Sequence, residues 1–514
     1  MNLAIQYIPE PTLEFRFGQE LEYPRDGLYL YGPVDAAVTP RPLRYGFIGT
    51  KDGLDRFCRW AESVSKYIPV PPPRPGAKPI EPHHVPFPGM SEAFWAVWQA
   101  RPARIIADIT EAELHDALRI GNRHEAIRRA VDIFVTRLVE HRARDEDPPS
   151  FWFVVLPDFV YQLGRPESKI AKSDRAEGEI KLTKREADKL MKQPTLFGFD
   201  EEEAEVYKYE RNFRRQLKAR LLEAEVVTQL VRESTLTPND FLNSIGQPRR
   251  RVEDPATIAW KLGAGAYYKA GGKPWQIARM RPGVCYVGLV YKKTNDSGRP
   301  KWSVCAAQMF LSDGEGVVFR GALGPWYNPD TKEYHLDEAA AQRLVAMVVE
   351  EYRRRHGVAP SELFIHAKSS FSDPEWEGFK AAVDNTRTNL VGVQISDAWD
   401  ELKLYRNGRY PVVRGTVMYT GARAGYLFTS GYVPRLDTYM GPDTPNPLFV
   451  CIRRGDGDIS EVMRDVMALT KINFNTCLFN DRSPVTIRFA DAIGDVLVAA
   501  PVDGRKRLPF KFYI

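Results

Sequence analysis

The chain has 514 residues, of which 43% are hydrophobic, and its 72 Lys and Arg against 67 Asp and Glu give a net charge of +5. This length predicts at least two domains, and so small a net charge does not by itself indicate a polyanionic partner. The five cysteines never occur as Cys-x-x-Cys, which argues against a disulfide framework and a zinc ribbon. Because there is no signal-peptide pattern and no run of about 18 apolar residues, we expect a soluble, cytoplasmic protein without membrane contact.

The first part of the chain combines short apolar runs with turns and a proline-rich segment. Residues 24–27 predict a turn that leads into a strand-like run at residues 28–31. A helix is predicted at residues 54–67, because the apolar positions there recur on one side. Across residues 68–89 the density of proline excludes regular helix and central strand, so we expect an extended surface loop.

From residue 104 onward, predicted strands alternate with predicted helices. The pattern predicts strands at Arg104–Ile109 and residues 151–157, and helices at residues 111–118 and 124–143. Alternation of this kind favours a parallel α/β architecture. A charged insert with few aromatic residues then extends to about residue 205, and we interpret it as a mobile excursion with one helix at residues 183–191.

Residues 211–222 predict a helix with an apolar stripe made of Phe213, Leu217 and Leu221. Arg214 and Lys218 are four residues apart, so their charges share a face and can converge on one anion. Gln229 follows, and Lys261 comes from the next helical segment. A guanidinium, an ammonium and an amide together can hold one phosphate, whereas the alternative is a solvated basic face on an ordinary surface helix.

The C-terminal half begins with three β-rich runs that are separated by hairpin turn sequences. These runs are residues 284–292, 302–310 and 316–321. A helix at 337–355, a strand at 362–366, a helix at 374–383 and a strand at 390–395 follow. Three antiparallel strands followed by helix, strand, helix and strand predict an RNase H-like layout.

Three segments resemble the PIWI module of Argonaute proteins, namely residues 264–275, the strand at 285–291 and residues 469–475. With them the chain resembles a short prokaryotic Argonaute that lacks the N-terminal and PAZ domains of longer members. The resemblance implies an α/β protein in which a Rossmann-like MID domain, residues 1–275, precedes an RNase H-like PIWI domain, residues 276–514.

The resemblance also implies a pocket for the 5′ phosphate of a guide. Arg214, Lys218, Gln229 and Lys261 match the family pattern, although Arg214 stands where many members carry Tyr or His. In the family the terminal carboxylate can share a divalent ion with this phosphate, so Ile514 would supply that group and Mg²⁺ is implied as a structural ion. The alternative is that the apolar segment ending at Ile514 only completes a core.

The acids of a nuclease site are mostly absent from the positions where the PIWI pattern has them. Hydrolysis of a phosphodiester by two metal ions needs several converging carboxylates. This sequence has Val290 at the first position and Ala367 or Lys368 at the fourth-strand position, while Glu315 and Asp491 match the other two. We therefore expect a protein that is not an enzyme and that binds nucleic acid without cutting it.

A guided nuclease with a rearranged site is the alternative. It would need Asp373 beside Glu315 and Asp491, but Asp373 is better placed to cap the helix that starts at Pro374. His366 is expected to be a packed histidine at the end of a strand. Lys368 is either an ordinary surface lysine or a cation that contacts the backbone of a guide–target duplex.

The resemblance further implies a guide RNA, complementary single-stranded DNA of invaders as the target, and a role in prokaryotic antiviral defence. A protein that binds without cutting needs a partner that responds to binding. In the family this partner carries an APAZ region joined to a TIR, sirtuin-like or nuclease domain, so we expect a heterodimer with such an effector. The alternative is a guide-binding protein that acts without an effector.

Overall fold

The computed structural model describes residues 4–72, 82–192, 203–293, 303–310, 316–328, 330–398, 401–439, 441, 443–501 and 507–514. Most of the described strands belong to two sheets, and each sheet has helices on both faces. None of the described helices is long and apolar enough to span a bilayer.

The first sheet consists of parallel strands whose spatial order is Arg104–Ile109, Tyr45–Thr50, Phe151–Leu156 and Thr228–Arg232. The two central strands are buried along their whole length, because helices cover both faces. The surrounding helices are Lys51–Ser63, Glu111–Arg119, Arg123–Arg144, Phe213–Leu221 and Pro255–Lys269. The predicted Rossmann-like arrangement is confirmed, and the helix predicted at residues 54–67 begins and ends earlier.

The first sheet and these five helices are here called the first unit, and local sequence explains both its strands and its helix starts. Along Phe151–Leu156, successive side chains enter opposite cores, because strand side chains alternate between faces. Each of the five helices begins after a side chain that accepts a hydrogen bond from a first-turn N–H. These capping residues are Thr50, Thr110, Asn122, Asn212 and Asp254.

Ten described strands form the second sheet. Its centre is made of three parallel strands, Val284–Lys293, Glu362–Ala367 and Asn389–Asp397. The antiparallel strands that flank them are Leu448–Arg454, Ala424–Leu427, Thr416–Gly421 and Ala4–Tyr7 on one side, and Ser303–Phe310, Gly316–Gly324 and Leu508–Pro509 on the other.

Two pairs of helices cover the two faces of this sheet, and the sheet and these helices are here called the second unit. Glu338–His356 and Asp373–Val383 pack on one face, and Ile459–Leu469 and Val485–Leu497 pack on the other. The predicted RNase H-like layout is therefore confirmed, including the order of its strands and helices along the chain.

The first residues of the chain pack with the second sheet rather than the first. Ala4–Tyr7 is an outer strand of that sheet, and Glu10 follows it into a buried ion-pair cluster. The carboxylate of Glu10 lies 2.8 Å from the Nε of Arg414 and 2.7 Å from the Nζ of Lys471. Burial acts to raise the pKa of Glu10, but these two charges hold it below its usual value. The division predicted at residue 275 stays a prediction for the rest of the chain.

The strand-like run predicted at residues 28–31 is wrong, because Pro24–Leu30 forms a helix. Pro24 lies in its first turn, where the fixed φ of proline suits a helix and its missing N–H costs nothing. Leu28 is fully buried, and a Cβ on Gly27 would collide with the ring of Phe15. Packing on Phe15 therefore favours the helix at this position.

The described parts of the charged insert are attached to the first unit, contrary to the predicted mobile excursion. The predicted helix exists, as Lys184–Lys192. The buried carboxylate of Glu125 accepts hydrogen bonds from the backbone N–H groups of Glu179 and Ile180, at 2.9 and 3.3 Å. Tyr207 packs in a small apolar cluster with Ala187. A buried carboxylate that accepts two backbone donors fixes this segment against the Arg123–Arg144 helix.

Candidate nucleic-acid-binding site

The Phe213–Leu221 helix, here called the pocket helix, presents a basic face opposite its apolar stripe. Phe213, Leu217 and Leu221 are buried in the core of the first unit, as the sequence predicts. Asn212 caps the helix by accepting a hydrogen bond from the N–H of Arg215 at 3.1 Å. The opposite face directs Arg214 and Lys218 into one cavity.

Lys218 is buried at the base of this cavity. Its Nζ donates hydrogen bonds to the main-chain oxygens of Ile514 at 2.7 Å and Thr228 at 3.2 Å. Burial lowers the pKa of Lys218 well below its usual value, and the neighbouring charges of Lys269 and Arg214 lower it further. The structure therefore joins the C-terminal segment to the pocket helix.

Lys269, which the sequence analysis did not assign to the site, is the second buried ammonium group. It is the last residue of the Pro255–Lys269 helix, and its Nζ donates to Oε1 of Gln229 and, at 3.2 Å, to Oδ1 of Asn475. Burial and the charge of Arg214 lower the pKa of Lys269 to about 7. The predicted Gln229 is thus in the site, and it holds a lysine there.

Lys261 lies outside this cavity, so its predicted place in the pocket is wrong. Both carboxylate oxygens of Glu253 accept hydrogen bonds from its Nζ, at 2.6 and 2.7 Å. Lys261 and Lys269 are eight residues apart on one helix, which separates their Cα atoms by about 12 Å along the axis. Only Lys269 reaches Gln229.

A signal for Lys269 exists in the sequence. It terminates a helix that is mostly apolar and buried on nearly all sides, including Ala264, Ala266 and Tyr267. Lysine is almost never fully buried without a partner. A lysine that ends a helix of this kind is therefore a candidate for a charged site, whereas Lys261 lies on a turn that reaches solvent.

The cavity has a volume of 480 Å³. We call its basic lining the basic pocket; it comprises Arg214, Lys218, Gln229, Lys269, Asn475 and Ile514. None of the described residues that line this cavity is Asp or Glu. Two buried ammonium groups and an exposed guanidinium therefore face one space in which the carboxylate of Ile514 is the anionic group among the described lining residues, and the other partners are amide and main-chain oxygens. Such a space is complementary to a doubly charged anion such as a phosphate monoester.

A second group of charged residues lies where the parallel strands of the second sheet end. Gly288 is opposite His366 in the parallel register, so Val290 and Lys368 both come two residues later, at the same edge and on the same face. Ala367 points to the other face and is buried there. Of Ala367 and Lys368, Lys368 is therefore the one on the same face as Val290, and it pairs with Asp491.

Lysines form ion pairs with both carboxylates of this group of residues, which we call the strand-edge cluster. Lys368 forms an ion pair with Asp491. Lys292 lies 3.5 Å from Asp491 and 2.9 Å from Asp495. With Val290, these four residues define the cluster. Each of its carboxylates already has an ammonium partner, so a divalent cation would have to displace a lysine.

The remaining candidate residues for a nuclease site do not form a group of carboxylates in the described part of the chain. Glu315 lies outside the described residues. Asp373 pairs with Arg454, and the cap of its helix is Ser372, so the predicted capping role of Asp373 is wrong.

His366 is buried, as predicted, with its Nδ1 2.9 Å from Oγ1 of Thr486. Burial lowers the pKa of His366 to about 3, so this side chain is neutral. No group of three or more His, Cys, Asp or Glu side chains suited to a metal occurs in the part of the chain that is described.

Comparison with solved structures identifies the class of fold. Over 100% of this chain, the structure of Clostridium butyricum Argonaute bound to a guide DNA and a 19-mer target DNA is similar at 14% identity, with a TM-score of 0.59. Aa-Ago with externally bound siRNA is similar over 99% of the chain at 12% identity and a TM-score of 0.56. The A. aeolicus Argonaute structure is similar over 97% at 12% identity and a TM-score of 0.53.

The chain therefore has the MID and PIWI fold of Argonaute proteins. It spans about half of the matched chains, namely 55%, 56% and 53% of their lengths. No protein-family model and no curated protein matches its sequence. The basic pocket lies on the first unit where it meets the second, and the strand-edge cluster lies on the second, RNase H-like sheet.

Proposed function

We propose that this chain anchors the 5′-phosphorylated end of a guide RNA in the basic pocket and uses the guide to recognise complementary single-stranded DNA. The observation that carries the proposal is the pair of buried lysines, Lys218 and Lys269, which face one cavity without a carboxylate partner among the described side chains. Three cations face the single carboxylate of Ile514, and a phosphate would supply the remaining negative charge. The solved neighbours include Argonautes with guide, target or siRNA, which agrees with this class of ligand.

Each residue of the basic pocket would make a different contact with the phosphate. Lys218 and Lys269 would donate from the buried side, and the Nε2 amide of Gln229 would donate alongside them. Arg214 is exposed at the mouth, so its guanidinium can pair with the phosphate or stack on the first base. Direct contacts of this kind recognise the strand end and leave sequence to base pairing.

A structural Mg²⁺ at this site belongs to the same proposal. Magnesium needs six oxygen ligands, and it is usually held by one or two carboxylates together with phosphates and waters. The described oxygens of the pocket, on Ile514, Gln229 and Asn475, all accept from lysines. These residues fit a cation only together with the guide phosphate, to which the Ile514 carboxylate would link it.

We further propose that the chain does not cleave the target. The ion pairs of Lys368 and Lys292 with Asp491 support this, because an ammonium occupies the space where a metal would have to bind. Lys368 is partly exposed and would contact the backbone of a guide–target duplex. The alternative, a guided nuclease with a rearranged site, would cleave complementary DNA or RNA with Mg²⁺ or Mn²⁺, and a chelator would abolish that cleavage.

If the chain binds a target without cleaving it, another protein has to respond to that binding. We propose an effector with an APAZ region, of TIR, sirtuin-like or nuclease type, in a heterodimer that acts in prokaryotic defence against invading DNA. Target pairing would shift the effector towards its active state. Purification of the chain with its genomic neighbours, followed by mass spectrometry, tests this part; a guide-loaded protein that is fully functional on its own would refute it.

The test of the pocket uses two guides that differ only in the 5′ group. Wild-type protein is expected to prefer the 5′-phosphorylated RNA, and Lys218→Ala is expected to weaken binding of that RNA far more than binding of the 5′-hydroxyl RNA. Fluorescence anisotropy titrations measure both. Equal losses for the two guides would mean that the pocket helix is only a general basic face.

A further inference from the structure

A surface loop of the second unit has a composition that the guide pocket does not explain. Residues 402–411, here called the Tyr–Arg loop, contain three cations and two tyrosines and no acidic residue. The loop lies between the strands Asn389–Asp397 and Thr416–Gly421. Since Asn389–Asp397 runs parallel to Glu362–Ala367, the loop leaves the sheet at the same edge as the strand-edge cluster.

The strand that precedes the loop is close to that cluster along the sheet edge. The Nε2 amide of Gln394, near the end of its strand, donates to the main-chain oxygen of Lys368 at 3.0 Å. The chain then continues through Ala398, whose N–H donates to the main-chain oxygen of Pro447 at 3.2 Å. The strand that leads into the loop therefore runs beside Lys368, one of the residues that would face a bound duplex.

Aromatic rings hold the arginines of the loop. Tyr410 stacks on Tyr432, with ring centroids 4.6 Å apart and an interplanar angle of 15°. The guanidinium of Arg406 lies 5.0 Å from the centroid of Tyr432, and that of Arg409 lies 5.5 Å from the centroid of Tyr410. A guanidinium over a ring face keeps its charge and its in-plane N–H donors. Neither arginine forms an ion pair with a residue that the structure describes.

Tyr405 completes the surface. Its side chain is 79% exposed, which is more than any other described tyrosine among the exposed hydrophobic residues. A ring that is exposed next to arginines that form no ion pair with a described residue is a combination by which proteins bind single strands, since bases stack on the ring and phosphates contact the cations. A duplex offers phosphates but no free base face along its length.

We propose that the Tyr–Arg loop binds a single-stranded segment of nucleic acid, with an unpaired base stacked on Tyr405 and phosphates contacted by Arg406 and Arg409. The proposal deepens the proposed function and rests on it, because it assigns a second contact to the strand that the basic pocket anchors or to the unpaired part of its target. An acidic protein surface is the competing occupant, and the experiment below separates the two.

The experiment titrates the full-length chain with single-stranded RNA and DNA that carry a 5′ phosphate or a 5′ hydroxyl, over a range of salt concentrations. Tyr405→Ala is expected to weaken binding of long single strands by about fivefold to a hundredfold, whereas Tyr405→Phe retains the stacking ring and the affinity. Arg406→Ala with Arg409→Ala is expected to reduce the slope of log K against log salt by about 1.4, or 0.7 for each lost contact.

A matched control removes two arginines elsewhere. Arg343 and Arg353 are exposed on the Glu338–His356 helix, on the opposite face of the sheet from the Val485–Leu497 helix, and they too form no ion pair with a described residue. Their double alanine variant has the same net charge as the loop variant. It should bind single strands like the wild type. Thermal melting of every variant confirms that the fold is retained.

The outcomes separate this inference from the proposed function. If the loop variants bind every strand with wild-type affinity and salt slope while the 5′-phosphate preference persists, the inference is overturned and the guide pocket stands. If wild-type protein shows no 5′-phosphate preference, the proposed function fails instead, and a loss confined to the loop variants would still support the loop. Loss of a co-purifying protein without loss of strand binding would assign the loop to an acidic partner and overturn the inference.

Discussion

Replacement of Lys269 by methionine is the sharpest perturbation of the basic pocket, because it removes a charge that the structure buries and leaves the length of the side chain. We expect Lys269→Met to weaken binding of a 5′-phosphorylated guide and to leave binding of a 5′-hydroxyl guide nearly unchanged. A hydrogen bond to a charged group contributes about 1.5 to 3 kcal/mol. The expected loss is therefore roughly 10- to 150-fold in affinity at pH 7.

Lys261→Met is the control for this variant, because it removes the same group from the same helix. Lys261 is partly exposed and pairs with Glu253, and pairs of that kind contribute about 0 to 1 kcal/mol. Its removal should change the affinity for either guide by no more than about fivefold. Fluorescence anisotropy with two RNAs that differ only in the 5′ group measures both variants.

The same substitution has an opposite effect on the stability of the free protein. Burial lowers the pKa of Lys269 from its ordinary value of 10.5 to about 7 in the folded chain, so the folded state disfavours its charge. The penalty is fully present below pH 7 and disappears as the pH rises towards 10.5. Lys269→Met should therefore raise the Tm of the guide-free protein at pH 7, and the gain should shrink at higher pH.

Two results would refute this reasoning. If Lys269→Met kept the full preference for the 5′ phosphate while Lys261→Met lost it, the phosphate would bind at the other end of the helix. If Lys269→Met lowered the Tm as well as the affinity for both guides, the lysine would be a structural residue and the loss of binding would report unfolding.

Three further predictions concern pH and packing. Guide binding through the 5′ phosphate should weaken above pH 7 by up to tenfold per unit, because the complex must protonate Lys269, whereas a 5′-hydroxyl guide should give a flat profile. Gly288→Ala should lower the free energy of unfolding in urea by about 3 kcal/mol, since its Cβ would lie 1.9 Å from a carbonyl oxygen of the facing helix. Glu10→Ala should lower it by about 3 to 5 kcal/mol, because Arg414 and Lys471 would be left buried without their carboxylate; an unchanged denaturation midpoint would contradict either substitution.

Periodicity was sufficient for most of the fold because the strands and helices of this chain bury strongly patterned faces. The Phe151–Leu156 strand and the pocket helix both follow local apolar patterns that need no tertiary information. The Pro24–Leu30 helix was missed since the hydrophobic and aromatic residues near its end suit a strand equally well. Contact with Phe15, which the sequence does not reveal, decides between the two.

The basic pocket was only partly predictable for a related reason. Spacing within the pocket helix places Arg214 and Lys218 on one face, which is a local property. Which lysine reaches Gln229 depends on how far the Pro255–Lys269 helix is shifted along its own axis. The sequence offers both Lys261 and Lys269 on that helix. Packing of the two units selects Lys269, and the same packing brings Asn475 from the second unit to it.

Ion pairs between the two units connect the pocket helix to the strand-edge cluster. Arg215 of the pocket helix lies 2.6 Å from Asp495, and Asp495 lies 2.9 Å from Lys292. Lys292 also approaches Asp491 at 3.5 Å, and Asp491 pairs with Lys368. If acids stood at positions 290 and 368, these carboxylates would repel one another unless metal ions were bound. In this chain the lysines neutralise the carboxylates within the second unit, and Asp495 is the member of the cluster whose ion pair with Arg215 crosses to the pocket helix.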